Sequence, residues 1–382
     1  MYIRALAGLQ KALGPDHTST LATINNLGGL YRDQDKLDEA EQMYTRALAG
    51  REKALGPDHT SALHIVNNLG LLYCYQGKLD KAEQMYIRAL AGREKALGPD
   101  HTSTLDTVNN LGNLYRDQGK LHKAEQMFIR ALAGCEKALG PDHTSTLNTA
   151  NNLGILYCNQ GKQDEAEEMY IRALAGCVKA LGPDHTSTLD TVNNLGNLYS
   201  DQGKLDEAEA MYTRALAGYE KALGPDHTST LTTVNNLGSL YCNQGKQDEA
   251  EEIYIRALAG REKALGPDHT STLDTVNNLG NLYSDQGKLD EAEAMYTRAL
   301  AGYEKALGPD HTSTLATAHN LGLLYHDQGK LDEAEQKKAL EPNHASTLAT
   351  VNNFENHLDN PNQRQWKFRK VIRKIWRTRV TK

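Results

Sequence analysis

The tetrapeptide Gly-Pro-Asp-His returns every 42 residues, beginning at Gly14, Gly56, Gly98, Gly140, Gly182, Gly224, Gly266 and Gly308. A chain written this way must fold as a row of like units, each burying its apolar face against the next. Residues 182–223 and 266–307 are identical throughout. Residues 140–181 and 224–265 share the block Cys-Asn-Gln-Gly-Lys-Gln-Asp-Glu-Ala-Glu-Glu. Similarity that alternates in this way points to duplication of a two-repeat unit. A ninth start, Glu341-Pro342-Asn343-His344, comes early, 33 residues after the eighth.

Each repeat reads as two helices. In 98–139, Gly98 suits the left-handed position that closes a helix, and Pro99 cannot continue one. Asp100 and the Thr/Ser run behind it are expected to supply the N-cap oxygen. Leu105, Val108, Leu111, Gly112 and Tyr115 then recur on one helical face. Asp117-Gln118-Gly119 makes the turn. Leu121, Ala124, Phe128, Ala131, Leu132 and Leu139 form one side of a second helix, with Glu125 and Lys137 on its wet side. Gly112 and Ala124 are small where the two helices need to approach closely. A hydrophobic share of 39% is low for one large core and sufficient for thin seams between neighbours.

The pattern predicts an all-α, right-handed solenoid of stacked antiparallel helix pairs. Residues 1–13 read as the second helix of an incomplete repeat. Eight pairs fill 14–340, the last shortened by nine residues. Residues 341–360 read as a degenerate capping repeat and 361–382 as a basic amphipathic or disordered tail.

Leu111-Gly112, Tyr115, Ala124, Phe128 and Ala131 resemble the skeleton of the tetratricopeptide repeat. The 42-residue period and the string Asn-Asn-Leu-Gly-x-Leu-Tyr resemble the kinesin light chain subtype of that family. The resemblance covers residues 1 to about 358. It implies a concave groove lined by first helices that binds proteins or extended peptides. Thr102 stands where that subtype usually has Pro. The N-terminal heptad coiled coil of the subtype is missing, so binding to a kinesin heavy chain is not implied. The repeats also resemble the sensor arms of signal-transducing NTPases, and a ligand-sensing arm is the second functional reading. The chain starts mid-repeat, Met1-Tyr2 aligning with Met43-Tyr44, as a truncated or mis-started gene would.

Two features place a ligand on the first helices. One is an Asn pair in each: Asn25/Asn26, Asn67/Asn68, Asn109/Asn110, Asn151/Asn152, Asn193/Asn194, Asn235/Asn236 and Asn277/Asn278, with His319/Asn320 in the eighth. Asn is a mediocre helix former, about 0.7 kcal/mol behind Ala. Its amide can donate to and accept from a peptide backbone. In the resembled family such residues bond an extended peptide; alternatively, one Asn of each pair bonds a neighbouring loop or helix. The other feature is variation at helical spacing around the first Asn. The stripes are His64, Asn67, Leu71, Cys74; then Asp106, Asn109, Asn113, Arg116; then Asn148, Asn151, Ile155, Cys158; then Asp190, Asn193, Asn197, Ser200; then Thr232, Asn235, Ser239, Cys242. Asp274 and Asn281 continue the register in the seventh repeat. Constant Asn amid variable neighbours is what a peptide groove needs, although drift on a solvated face also varies. Arg32 and Arg116 are the basic members and Asp106, Asp190 and Asp274 the acidic ones, so the mixed groove predicts neither a strongly acidic nor a strongly basic ligand.

Net charge is −7, yet residues 361–382 hold nine Lys/Arg and no Asp/Glu, leaving about −16 on the rest. Within 364–380, Phe368, Val371, Ile372, Ile375, Trp376 and Val380 fall at helical spacing among the basic residues. Such a segment suits an anionic membrane surface or a calmodulin-like groove; it also suits docking on the acidic repeats or no fixed structure. Nucleic acid is not an expected partner. Each Gly-Pro-Asp-His histidine sits alone in its repeat, so no metal is expected. No nucleophile or phosphate-loop motif appears, so neither a cofactor nor an enzyme is expected. The five cysteines follow the repeat rather than any pairing, as free thiols of a cytoplasmic protein would.

Overall fold

The computed structural model describes residues 2–328, and every element among them is an α-helix. The chain divides into two compact units, Met1–Leu198 and Tyr199–Lys382. The first unit opens with α1 (Tyr2–Leu13), then the pairs α2 (Thr18–Asp33) and α3 (Leu37–Leu55), α4 (Thr60–Tyr75) and α5 (Leu79–Leu97), α6 (Thr102–Asp117) and α7 (Leu121–Leu139), α8 (Thr144–Asn159) and α9 (Gln163–Leu181). The division falls inside α10 (Thr186–Asp201). The second unit holds α11 (Leu205–Leu223), the pairs α12 (Thr228–Asn243) and α13 (Gln247–Leu265), α14 (Thr270–Asp285) and α15 (Leu289–Leu307), and then α16 (Thr312–Asp327). This is the all-α repeat solenoid that the period predicts. The end of the eighth repeat, the expected capping repeat 341–360 and the basic tail 361–382 lie outside the described residues.

The Gly-Pro-Asp-His motif is a helix stop followed by a helix start. Gly98 sits at φ +94°, in the left-handed region where a side chain is strained. Its carbonyl accepts from Thr104 Oγ1 at 2.9 Å, tying the turn to the next helix. The cap differs from expectation. It is His101, not Asp100, whose side chain caps α6: its Nδ1 accepts from Ser103 N at 3.1 Å. The following residues carry the helix, so the motif places the imidazole, rather than the carboxylate, at the N-cap position with extended backbone. The displaced Asp100 instead pairs with Lys137 at the end of α7, 2.6 Å away.

The seam is built from the predicted faces. Leu105, Val108, Leu111, Ala124, Phe128 and Ala131 are all within 2% of complete burial. One apolar cluster joins Tyr86, Leu111, Leu114, Phe128, Leu153 and Leu156, which come from three successive repeats. No helix pair owns its core, which is why stacking is obligatory. Each buried Leu contributes about 1.5–3 kcal/mol. Gly112 is required by close approach: a Cβ there would lie 2.7 Å from the Phe128 ring.

Neighbouring repeats are also clamped by polar contacts. Glu125, expected on the wet side of α7, accepts from Gln160 and Lys162 of the next repeat, each at 3.0 Å. The clamp recurs as Glu41 with Gln76 and Lys78, Glu83 with Gln118 and Lys120, and Glu251 with Gln286 and Lys288. Periodicity marked these acids as polar but could not show what stacks against them. Donation from Gln160, helped by Lys162 against partial burial, holds the Glu125 carboxyl below its ordinary value. Glu41, Glu83, Glu209 and Glu251 are shifted the same way. A carboxylate held low in the folded state stabilises above its unfolded pKa, near 4.3, and loses that contribution as pH falls through its folded value. Each clamp is partly exposed and worth at most about 1 kcal/mol. The urea midpoint is therefore expected to fall steeply below about pH 4, and Glu125→Gln should make that fall shallower; an unchanged slope would discount the clamp.

Candidate ligand-binding groove

Within each unit successive first helices touch: α2 with α4, α4 with α6 and α6 with α8 in one, α12 with α14 and α14 with α16 in the other. Successive second helices make no such contact among the described residues. The tighter spacing puts the first helices on the inner wall of each unit and the second helices on the outer wall.

The Asn pairs form a ladder across the inner wall. Nδ2 of Asn68, Asn110, Asn152 and Asn194 donates to Oδ1 of Asn25, Asn67, Asn109 and Asn151, at 3.1, 3.3, 3.2 and 3.2 Å. In the second unit Asn278 donates to Asn235 at 3.4 Å and Thr317 to Asn277 at 3.0 Å. The second Asn of a pair is thus committed to the preceding repeat, the structural alternative that the sequence left open. The first Asn accepts that bond through Oδ1, so its own Nδ2 takes no part in the rung. In Asn67, Asn109 and Asn151 no described neighbour takes that donor. At the first rung, Asn25 spends it on Asn26 at 3.4 Å.

The variable stripe lies on the same wall. His64, Asp106, Asn148, Asp190 and Asp274 are exposed; Asn109, Asn113, Asn193, Asn197, Asn236 and Asn281 are half-buried. The two arginines are not presented as free cations. Arg116 donates through Nε and Nη2 to Asp117 at 3.1 and 3.0 Å, and Arg32 does the same to Asp33. Their side chains are only about a fifth exposed, 19% and 20%.

Two contributions to this wall come from the second helices, and sequence reasoning missed both. The first is the skeleton Tyr. Its ring fills the seam while its hydroxyl reaches stripe residues: Tyr296 donates to Asn281 at 2.7 Å, and Tyr254 meets Ser239 at 2.8 Å. Burial pushes the Tyr296 hydroxyl up to about 12. The second is the residue after the Gly of the second helix, where a Cβ at Gly92 would lie 2.6 Å from Leu63. It reads Arg51, Arg93, Cys135, Cys177, Tyr219, Arg261 and Tyr303 along the chain. Arg93 is 4% exposed; its Nη1 donates to Ser103 O and Thr107 Oγ1 at 2.6 and 2.7 Å. Tyr303 donates to Asp274. A change of residue class between an unvarying Gly and an almost unvarying Glu was the signal that could have found this position.

Electrostatics follow from the recess. Partial loss of solvent around its carboxyl raises Asp106, exposed though the residue is, despite the opposing pull of Arg93 and the nearby histidines. Burial, and then Arg93, push the His64 imidazole below its ordinary value, leaving it neutral at pH 7. Among the described residues no three His, Cys, Asp or Glu side chains are grouped to hold a metal, and no helix is long and apolar enough to cross a membrane.

A family model described as tetratricopeptide repeat matches residues 58–134, 103–177, 145–221, 189–263, 229–305 and 272–338. A second model of the same description matches 20–61. A search of curated proteins returned no match. Among solved structures, the apo form of the quorum sensor NprR from B. thuringiensis aligns with a TM-score of 0.64 at 14% identity, covering 89% of this chain and 95% of that one. BtubC (BKLC) from P. vanneervenii aligns at 0.52 and 23% identity, covering 64% and 95%. The STAND protein PH0952 from Pyrococcus horikoshii, which has a tetratricopeptide repeat sensor, aligns at 0.57 and 15% identity; this chain covers 51% of it and 88% of itself. With models spanning nearly all of the described residues, the chain belongs to the tetratricopeptide-repeat family.

Proposed function

We propose that this chain is a non-catalytic scaffold that holds proteins or extended peptides along its first-helix groove. The observation that carries the reading is the unspent Nδ2 donor of Asn67, Asn109 and Asn151. It recurs at one register, on a wall whose other residues vary. A donor at fixed spacing suits a ligand's backbone carbonyls, which every sequence has; the variable stripe then supplies selectivity. The ladder adds to this by fixing each amide's orientation, so the donor needs no reordering on binding. A sensing role, as in the neighbours named as sensors, would use the same groove.

Oxidative footprinting tests the location. Peptides selected from an unbiased library for binding to the full chain are expected to shield Leu71 and Ile155 on the inner wall. Ile87, Ile129 and Ile171, each 50% exposed on the outer wall, should stay as reactive as in the free chain. Protection of the three isoleucines with reactive Leu71 and Ile155 would move the site to the outer face.

A further inference from the structure

Two arginines lie beneath the inner wall at the same register of the repeat, and their surroundings differ. Arg93 in the first unit and Arg261 in the second are 4% and 5% exposed. Nη1 of Arg93 donates to Ser103 O and Thr107 Oγ1, and Nη1 of Arg261 to Ser271 O and Thr275 Oγ1, at 2.6 and 2.7 Å in both cases. Each has an exposed Asp on the adjacent first helix, Asp106 in α6 and Asp274 in α14. We propose that Arg93 and Asp106 together read a primary carboxamide, the side chain of Gln or Asn in an extended peptide lying along the first unit. This deepens the peptide-binding reading and rests on it.

The second unit shows how such a pair is closed from within. Arg261 Nη2 donates to Thr232 Oγ1 at 3.4 Å, and Asp274 accepts from the Tyr303 hydroxyl. The first unit has His64 at the register of Thr232 and Cys135 at that of Tyr303. Cys135 is buried and lacks the ring that carries a hydroxyl out to the carboxylate. Among the described residues, neither Nη2 nor Nε of Arg93 has an acceptor, and Asp106 takes part in no hydrogen bond or ion pair. Recessed donors of a guanidinium are costly to leave unpaired, so a ligand acceptor is favoured there.

The pair also sets the ligand's charge. Arg93 and Asp106 act on one another without forming an ion pair. Burial lowers the guanidinium against the pull of Asp106, and loss of solvent raises the carboxyl against the pull of Arg93. His64 beside them is held neutral by burial and then by Arg93. An anionic side chain entering here meets Asp106, and a cationic one meets Arg93. A neutral group with an acceptor and a donor on the same side satisfies both. The carboxamide of Gln or Asn carries its oxygen and its nitrogen on one carbon, whereas a trans backbone amide points them in opposite directions. Its carbonyl would accept from Arg93 and its amino group donate to Asp106. Asn67, one turn along α4 from His64, holds its donor for the backbone of the same peptide.

A randomised peptide library with its central residue fixed as Gln, Glu, Lys or Met gives four pools that test this on the full-length protein, by competition against a library-selected fluorescent peptide. The Gln pool is expected to compete about tenfold better than the Met pool, and better than the Glu and Lys pools. Asp106→Ala, at an exposed position that leaves the seam untouched, should shift the preference to Glu, because Arg93 then acts alone. His64→Thr with Cys135→Tyr copies into the first unit the side chains that close the second. It keeps both Arg93 and Asp106, yet should bring the Gln pool down to the level of the Met pool. A Gln preference that survives the double variant, or a parent chain with no preference or one for Glu, Lys or Met, would overturn the proposal while leaving peptide binding intact. Failure of every pool, with library-selected peptides also failing, would bring down the peptide-binding reading beneath it.

Discussion

Phe128→Ala is expected to cost about 3–5 kcal/mol of stability, the range for emptying a large aromatic from a closed core. Phe128 is fully buried and lies against Gly112 of its own repeat and in the cluster that joins Tyr86 to Leu153 and Leu156. Emptying it loosens two seams at once, because neither face of α7 has another partner to collapse onto. Gly112→Ala probes the same contact from the other side. The new Cβ would sit 2.7 Å from the ring, an overlap costing about 1–3 kcal/mol. The two losses should not add: in the Phe128→Ala background the Gly112 methyl enters the space left by the ring, so its cost should nearly vanish. Phe128→Tyr sets the control. Other repeats carry Tyr here, and Tyr296 donates to Asn281 at the register that Asn113 holds in this repeat. That variant should lie within about 1 kcal/mol of the parent, on the stabilising side. Urea unfolding with hydrogen exchange on α6 and α7 reads all four variants. A loss below about 1 kcal/mol for Phe128→Ala would mean the seam is not the unit of stability.

Much of this was legible in the sequence, and what was hidden has a common cause. The helix pairs, the seam residues and the register of the Asn pairs all follow from a period of 42 over a 3.6-residue helix. Periodicity states which face a residue is on, but not what comes to meet it from the next repeat. Glu125 was therefore readable as polar but not as a clamp on Gln160 and Lys162. Asn110 was readable as a mid-helix oddity but not as the donor to Asn67. His101 capping α6 was hidden for a local reason, since Asp one residue earlier is the better cap on propensity alone. A tally of charges likewise could not show that Arg116 is paired with its own neighbour Asp117. Arg93 and Tyr303 were hidden because they belong to second helices, whereas the Asn pairs and the variable stripe belong to first helices.

Asn109→Asp together with Asn151→Asp is expected to weaken binding of a selected peptide about a hundredfold while leaving the fold as stable as the parent. The change is nearly isosteric and replaces the amide nitrogen by an oxygen. The ladder survives it, since an Asp carboxylate still accepts from Asn152 and Asn194, and a charged acceptor strengthens such a bond. What is lost is the donor of each amide, and in its place stands an acceptor facing the ligand's carbonyl oxygens. Each site then loses a hydrogen bond and gains a repulsion between oxygens, about 1–2 kcal/mol apiece, or about a hundredfold for the pair. Asn110→Ala with Asn152→Ala gives the opposite profile. Those side chains hold the ladder without offering the groove a spare donor of the same register, so stability should drop by about 1 kcal/mol per rung and intrinsic affinity should fall far less. The cross-over separates the two roles that one dipeptide plays. Equal losses of affinity from both pairs, measured on chains shown to be folded, would mean that the ladder shapes the groove and that no Asn amide touches the ligand.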